Sequence, residues 1–257
     1  MNTPEKRDSS ENTSYFDEYT FENFLTGNSN KFAYAVAHAV AKSVAEGCAK
    51  TMYNPLLIYG DPGLGKTHLL HAIKHFAVEN LPHCKIILVK CDGFLDELIF
   101  AIRSGELDEF HTKYQTADIL LMDDMHFIAG KNATQDKLYT LFDKLLERGK
   151  HIVLTSNVPL YQIPKLENRI IAQISGGLLA EIQPPDYTLC VAIIEKISNQ
   201  LNAALPDDVT DYIAKNLNSN IRQLEGAVKL LVAHKNLVND IITVEVAEEK
   251  LERFCSA

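Results

Sequence analysis

Five short apolar runs, LLIY, KIILVK, ILLM, HIVLT and LLAEIQ, recur from Leu56 onward, separated by longer segments of helical period. Runs without polar alternation need cover on both faces, and intervening helices supply it. The pattern therefore demands an α/β fold in which a five-stranded parallel sheet lies between two helical layers. The helices are predicted near Lys66–Asn80, Phe94–Arg103 and Thr134–Arg148. Ahead of the first run, residues 1–14 are polar and are expected to form a disordered tail. A turn-rich segment follows, then a helix over FAYAVAHAVAKSVA with Ala and Val on its buried face.

The pattern changes after QPPD, Gln183 to Asp186. Four helical segments follow, broken at ALPDD, NLNSN and KNLVND, with no strong strand. Asn220 and Gln223 read as a capping pair that opens IRQLEGAVKLLVAH. The expected organisation is a nucleotide-binding unit over 15–185 and a small all-helical lid over 186–257.

The apolar content of 46% in 257 residues is enough for one large core and a smaller second one. A net charge of −9 argues against gripping DNA by charge alone. The N-terminus has no apolar signal core and no run suits a membrane span, so a cytoplasmic location is expected. Cys48, Cys84, Cys91, Cys190 and Cys255 are scattered, without metal-ligand spacing, and read as reduced, mostly buried thiols.

The first apolar run leads directly into GDPGLGKTH, which satisfies G-x-x-x-x-G-K-[ST] with Gly60, Gly65, Lys66 and Thr67. Glycines let the chain wrap tightly, so that successive N–H groups of the loop face phosphate oxygens; Asp61, Pro62 and Gly63 lie within that loop, Pro62 without an N–H of its own. Lys66 is suited to the β and γ phosphates of ATP or ADP and the Thr67 hydroxyl to Mg2+. The helix beginning there, with His68 in its first turn, adds its positive end. A preceding strand and a following helix are the context this motif requires, and both are predicted.

ILLMDD delivers Asp123 and Asp124 at the C-terminal edge of a buried strand, the edge where parallel sheets bind ligands. Asp123 is expected to hold Mg2+ and Asp124 to polarise the water that attacks the γ phosphate. HIVLTSN ends in Ser156 and Asn157, placed between the two phosphate-binding strands, where Asn157 would bond the γ phosphate or the attacking water. Arg222 opens a helix of the lid and would report ATP against ADP if that helix folds over the nucleotide. His68, His71 and His75 share a helical face but lack a completing carboxylate or cysteine, so packing or surface roles are expected.

With these residues in place, the chain resembles the AAA+ ATPase domain of the bacterial chromosomal replication initiator DnaA from about Tyr19 to about Phe254. YTFENFLTGNSNKFAYA is similar to the segment that surrounds the adenine in that family. YNPLLIYGDPGLGKTHLLHAI resembles its Walker A region, which places Asn54 and Pro55 among the nucleotide-binding residues. ADILLMDDMHFIAGKNATQDKLYTLF resembles its Walker B region, and SNIRQLEGA its sensor-two helix. GFLDELIFAIRSGELDEFHTKYQ fills the position of the extra helical insertion of initiators and helicase loaders. That resemblance implies assembly with DnaA or itself through the nucleotide interface, and it makes Lys131 a DNA-facing candidate.

Two departures stand beside the matches. Where the family carries its arginine finger, four residues after Arg169, this chain has Gln173, which has no charge to offer a neighbouring subunit. The sequence also stops at LERFCSA, before the family's helix-turn-helix domain, so no reading of double-stranded origin sites is expected. The reading is an ATP-binding, weakly hydrolysing DnaA-like protein of replication initiation or its regulation. The alternative is a helicase-loader-like ATPase that binds single-stranded DNA. A small-metabolite kinase is disfavoured by the Asp-Asp pair, the lid arginine and the absence of an arginine-rich substrate insertion.

Overall fold

The computed structural model describes residues 16–47, 52–217, 220–238 and 241–255. Residues 1–14, read above as a tail, lie outside the described residues. Helix α1 (Lys31–Ala45) precedes strand β1 (Leu56–Tyr59) and helix α2 (Lys66–Asn80). Strand β2 (Ile86–Lys90) runs without a loop into α3 (Cys91–Ser104), followed by α4 (Leu107–Gln115) and β3 (Ile119–Asp123). After a 3-10 turn (Met125–Ile128) come α5 (Asn132–Glu147), β4 (His151–Ser156), α6 (Asn168–Ser175) and β5 (Leu178–Glu181).

The strands form one parallel sheet in the order β2-β3-β4-β1-β5. All five predicted strands are present, and β4 does lie between β1 and β3. Side chains of a strand point alternately to its two faces, and the burial follows suit. Leu57, Leu120, Met122, Ile152 and Leu154 enter the core beneath α3, α4, α5 and α6. Leu56, Ile58, Ile119, Leu121, Val153 and Ala180 enter the opposite core with α1 and α2. Ala33, Val36, Ala37, Val40, Ala41 and Val44 supply the inward stripe of α1. Small and branched side chains at that spacing bring a helix close to the sheet.

Four further helices follow: α7 (Tyr187–Gln200), α8 (Asp207–Asn216), α9 (Ile221–Val238) and α10 (Val244–Cys255). Asp186 caps α7 by accepting from the Leu189 amide at 2.9 Å. A third core, including Ile194, Val209, Leu224 and Leu251, joins these helices, and Leu25 packs against it from the N-terminal segment. Helix α9 runs to Val238, four residues into KNLVND, and α10 starts beyond it, so the break read there falls late in the stretch. That stretch has neither glycine nor proline to force a stop. Cys84, Cys91 and Cys190 are free thiols, the latter two buried. Among the described residues, no helix is long and apolar enough to cross a membrane.

Candidate nucleotide site

The chain leaves β1 at Gly60, whose φ of +146° is closed to most side chains and whose Cβ would collide with the Ile182 carbonyl. The loop then turns so that Lys66 becomes the first residue of α2. Lys66 is buried, and its ammonium donates to the carbonyls of Gly60 at 2.6 Å and Asp61 at 2.7 Å. Burial pulls its pKa down to about 8, against the opposing pull of Asp124, Asp123 and Asp61, with Arg222 adding to the depression. A desolvated cation at a helix N-terminus favours an anion that would restore its charge balance.

Parallel register sets Met122 beside Leu154, so the next residues, Asp123 and Thr155, meet at the sheet edge. Thr155 is fully buried; its hydroxyl donates to Asp123 Oδ1 and accepts from the Asp124 amide at 2.9 Å. The other oxygen of Asp123 accepts from the Thr67 hydroxyl at 2.9 Å. Asp124 takes a left-handed conformation, φ 56°, and lines the cleft with Lys66 and Thr67. Burial, then the neighbouring Asp123 charge, raises its pKa above the ordinary carboxylate value.

Asn157 lines the same cleft, one residue beyond β4. Its backbone amide donates to His126 Nδ1 at 3.3 Å, and its side-chain amide faces His126 Nε2 at 3.3 Å. Burial lowers the His126 pKa despite Asp124, which favours the neutral ring. With Nδ1 accepting, the neutral ring carries its proton on Nε2, and the Asn157 amide bonds it only by turning its oxygen there in place of the Nδ2 that now faces it.

The lid closes the cleft from the other side. The Ile221 amide, at the start of α9, donates to the Gly63 carbonyl at 3.0 Å. Asn220 Oδ1 accepts from the Gln223 amide at 2.8 Å, the cap expected from the sequence. Arg222 and Glu225 therefore reach the cleft wall. Phe24, which lies against Gly65, and Leu25, Ile193 and Ile197 also line the cleft, apolar walls suited to a flat base. Tyr19 stacks on His68, centroids 4.6 Å apart, and His68 Nε2 meets the Thr20 carbonyl at 2.8 Å. Phe16 stacks on His71, whose pKa burial lowers to about 4. The histidines of α2 thus carry packing roles, and among the described residues no three or more His, Cys, Asp or Glu side chains gather as a metal-binding group.

The structure brings Pro62, Gly63, Gly65, Lys66, Thr67, His68, Asp124, Asn157 and Arg222 onto one cleft. Gly60 and Asp61 contribute their carbonyls to Lys66 instead, and the Asp61 side chain is exposed. Asn54 and Pro55 require a correction. They precede β1, at the end opposite the phosphate loop, where Asn54 donates to the Lys150 carbonyl at 2.8 Å and accepts from the Ile152 amide at 2.9 Å. Both faces of that amide are committed to holding β4, so Asn54 is a sheet-aligning residue. Lys131 is exposed at the start of α5, off the cleft.

Residues not singled out from sequence complete the site. Thr155 and His151 are the polar side chains of HIVLT, and Thr155 is the one at its C-terminal end, a signal that could have marked it. His126 follows the aspartates by two residues. Gln135, fully buried in α5, donates to the carbonyls of Ile128 at 3.3 Å and Lys165 at 3.0 Å and accepts from the Glu167 amide at 2.8 Å. It thereby ties the turn behind the aspartates to the start of α6.

A phosphate loop on β1, paired carboxylates on β3, a polar residue after the strand between them and an arginine-bearing helical lid define a P-loop nucleotide-binding protein of the AAA+ class. The family model described as the bacterial DnaA ATPase domain matches residues 16–181. The chain belongs to that family. It is 44% identical over 235 residues to the chromosomal replication initiator protein DnaA of Symbiobacterium thermophilum, covering 91% of this chain and 50% of that protein. It thus spans about half the length of that curated relative. Domain III of the Thermotoga maritima replication initiation protein DnaA matches with a TM-score of 0.84 at 35% identity, covering 93% of this chain and 98% of that one. A replication initiator DnaA bound to AMPPCP and single-stranded DNA matches with a TM-score of 0.78 at 31% identity, covering 92% and 68%.

Proposed function

We propose that this chain binds ATP and ADP with Mg2+ between sheet and lid, hydrolyses ATP slowly, and acts in replication initiation or its regulation by nucleotide-dependent assembly with DnaA or with itself. The observation that carries the reading is the convergence of Lys66, Thr67, Asp124, Asn157 and Arg222 on one cleft. In it, Lys66 and the loop amides bind the phosphates, and Arg222 senses the terminal one from the lid. Asp124 orients a water and takes its proton, with Asn157 holding that water or the γ phosphate.

The donor set fits Mg2+. Thr67 and Asp123 offer hard oxygens already 2.9 Å apart, and this ion takes few protein ligands beside phosphate and water. Those two residues would hold it, and the bound ion would neutralise charge on the phosphates.

Two features favour a subunit that accepts a neighbour's charge without supplying one. Gln173 is neutral, and its amide oxygen is buried without a hydrogen-bond partner. Arg169 is paired with Asp136 and Glu167 and lies 5.0 Å over the Tyr139 ring, so its charge is committed within its own subunit. Such a subunit caps a DnaA filament rather than extending it both ways. Co-purification of full-length DnaA in ATP and then in ADP tests this; no nucleotide-dependent association would reject it.

A second reading, a helicase-loader-like ATPase holding single-stranded DNA, is favoured by the relative solved with that ligand. Helix α3 exposes Ile99, Phe100 and Ile102, apolar side chains that bases can pack on, and Lys131 is exposed as well. A fluorescence titration with oligonucleotides at moderate salt separates the two: ATP-dependent binding favours the second, its absence the first.

A further inference from the structure

We infer that Lys196 is a clasp across the cleft that sets how fast nucleotide enters and leaves. The inference rests on the nucleotide-binding reading above. Lys196 projects from α7 of the lid, and its ammonium donates to the Asn23 carbonyl at 2.6 Å and lies 3.4 Å from Asn23 Oδ1. Both residues line the cleft, each next in sequence to one of its apolar walls, Asn23 to Phe24 and Lys196 to Ile197.

The segment that receives the clasp is itself held. The Asn23 side chain donates to the Glu18 carbonyl at 3.0 Å, and its amide to the Thr20 hydroxyl at 3.3 Å. Tyr19 and Phe16 stack on His68 and His71 of α2, which fixes this segment to the body of the sheet. The lid is therefore bonded to the body at two places on the cleft. The Ile221–Gly63 bond ties it to the phosphate loop, and the Lys196–Asn23 bond ties it to the segment that carries Phe24. A base wedged among Phe24, Ile193 and Ile197 must part the second bond to escape, although Lys196 need not touch it. Burial already holds the ammonium below its ordinary pKa, with Glu18 opposing, so the group is partly withdrawn from water. A charge-assisted bond in that setting outlasts one in open solvent.

Stopped-flow measurements with fluorescent ADP and ATP analogues, on the whole chain with Mg2+, test the clasp. Lys196→Met keeps the stem and removes the donor. It is expected to speed release of both nucleotides by about tenfold, the scale of one charged hydrogen bond lost at a partly exposed site. Association should quicken too, because the free cleft no longer has to open, so affinity changes less than either rate. Lys196→Arg retains a donor and should restore most of the slow release. Release from Lys196→Met within about twofold of wild type overturns the clasp. So does faster release with slower association and a lowered Tm, which marks a loosened fold. If wild type binds and only the variant rates fail, the nucleotide reading stands and the clasp falls; if wild type binds neither nucleotide, both fall.

Discussion

Ile221 gives its backbone proton to the carbonyl of Gly63, at 3.0 Å, so the first turn of lid helix α9 is bonded to the apex of the phosphate loop. Helix N-termini carry amides without intrahelical partners, and here one of them is used on the loop while Asn220 satisfies another. Loop conformation and lid position are thereby the same variable. Arg222 follows as the next residue, carried to the cleft by that bond.

Gly63 adopts φ +82°, and a Cβ there would lie 3.1 Å from Asn220 Oδ1. Gly63→Ala should cost about 1–2 kcal/mol in the left-handed backbone alone and displace the cap as well. Calorimetry should show weaker ATP binding, and limited proteolysis should cut the lid earlier than in wild type.

Lys66 has a folded pKa of about 8 against an ordinary 10.5. The ligand-free folded protein therefore binds fewer protons than the unfolded chain between those values, and its stability should rise with pH across that window. Phosphate binding needs the charged form, so nucleotide affinity should fall as pH rises through about 8. Calorimetry in buffers of different ionisation enthalpy should record proton uptake on binding in that range. Lys66→Ala should abolish binding at every pH.

Asp124 is half-buried beside Asp123, and its raised pKa means that its charge is a cost to the folded state. Asn removes the charge and tolerates the left-handed backbone. Asp124→Asn should keep nucleotide binding, raise Tm and lower turnover by about 10² or more. Equal hydrolysis by variant and wild type would remove Asp124 from the mechanism.

Thr155 holds Asp123 with its proton and the Asp124 amide with its lone pair. Thr155→Val preserves shape and strand preference but leaves both buried partners unsatisfied. Urea denaturation should register a loss of about 1–3 kcal/mol for each group so stranded, and Mg2+-dependent nucleotide binding should weaken alongside.

Gln173→Arg restores the charge that the family resemblance places at this position. Trans-supplied arginines in comparable enzymes contribute roughly 10³–10⁵ in rate. ATP turnover should rise with protein concentration, and sedimentation should detect ATP-dependent self-assembly. No change in either would show that this face does not meet a neighbouring nucleotide.

The sheet was legible because its strands are apolar on both faces, which fixes parallel order and burial together. Lys66 and Thr67 were legible at the helix start that follows the loop, and Asp124 and Asn157 as the residues just beyond their strands. Asn54 and Pro55 were misplaced because adjacency in a motif is not adjacency in space: β1 separates them from the loop by about 13 Å at 3.3 Å per residue. Thr155, His126 and Lys196 depend on register or on how the lid docks, and neither is written in local spacing. The position of Arg222 on the cleft is likewise a property of the Ile221–Gly63 bond and not of the helix that carries it.

Gln135 leaves a final mark on how the molecule can move. One amide satisfies backbone groups on both sides of it, from the turn after Asp124 to the first residues before α6. A shift of the Met125–Ile128 turn cannot strand α6 without breaking bonds in a place water does not reach. The floor of the cleft and the outer helix bearing Arg169 and Gln173 are thereby pinned to one another through a single side chain.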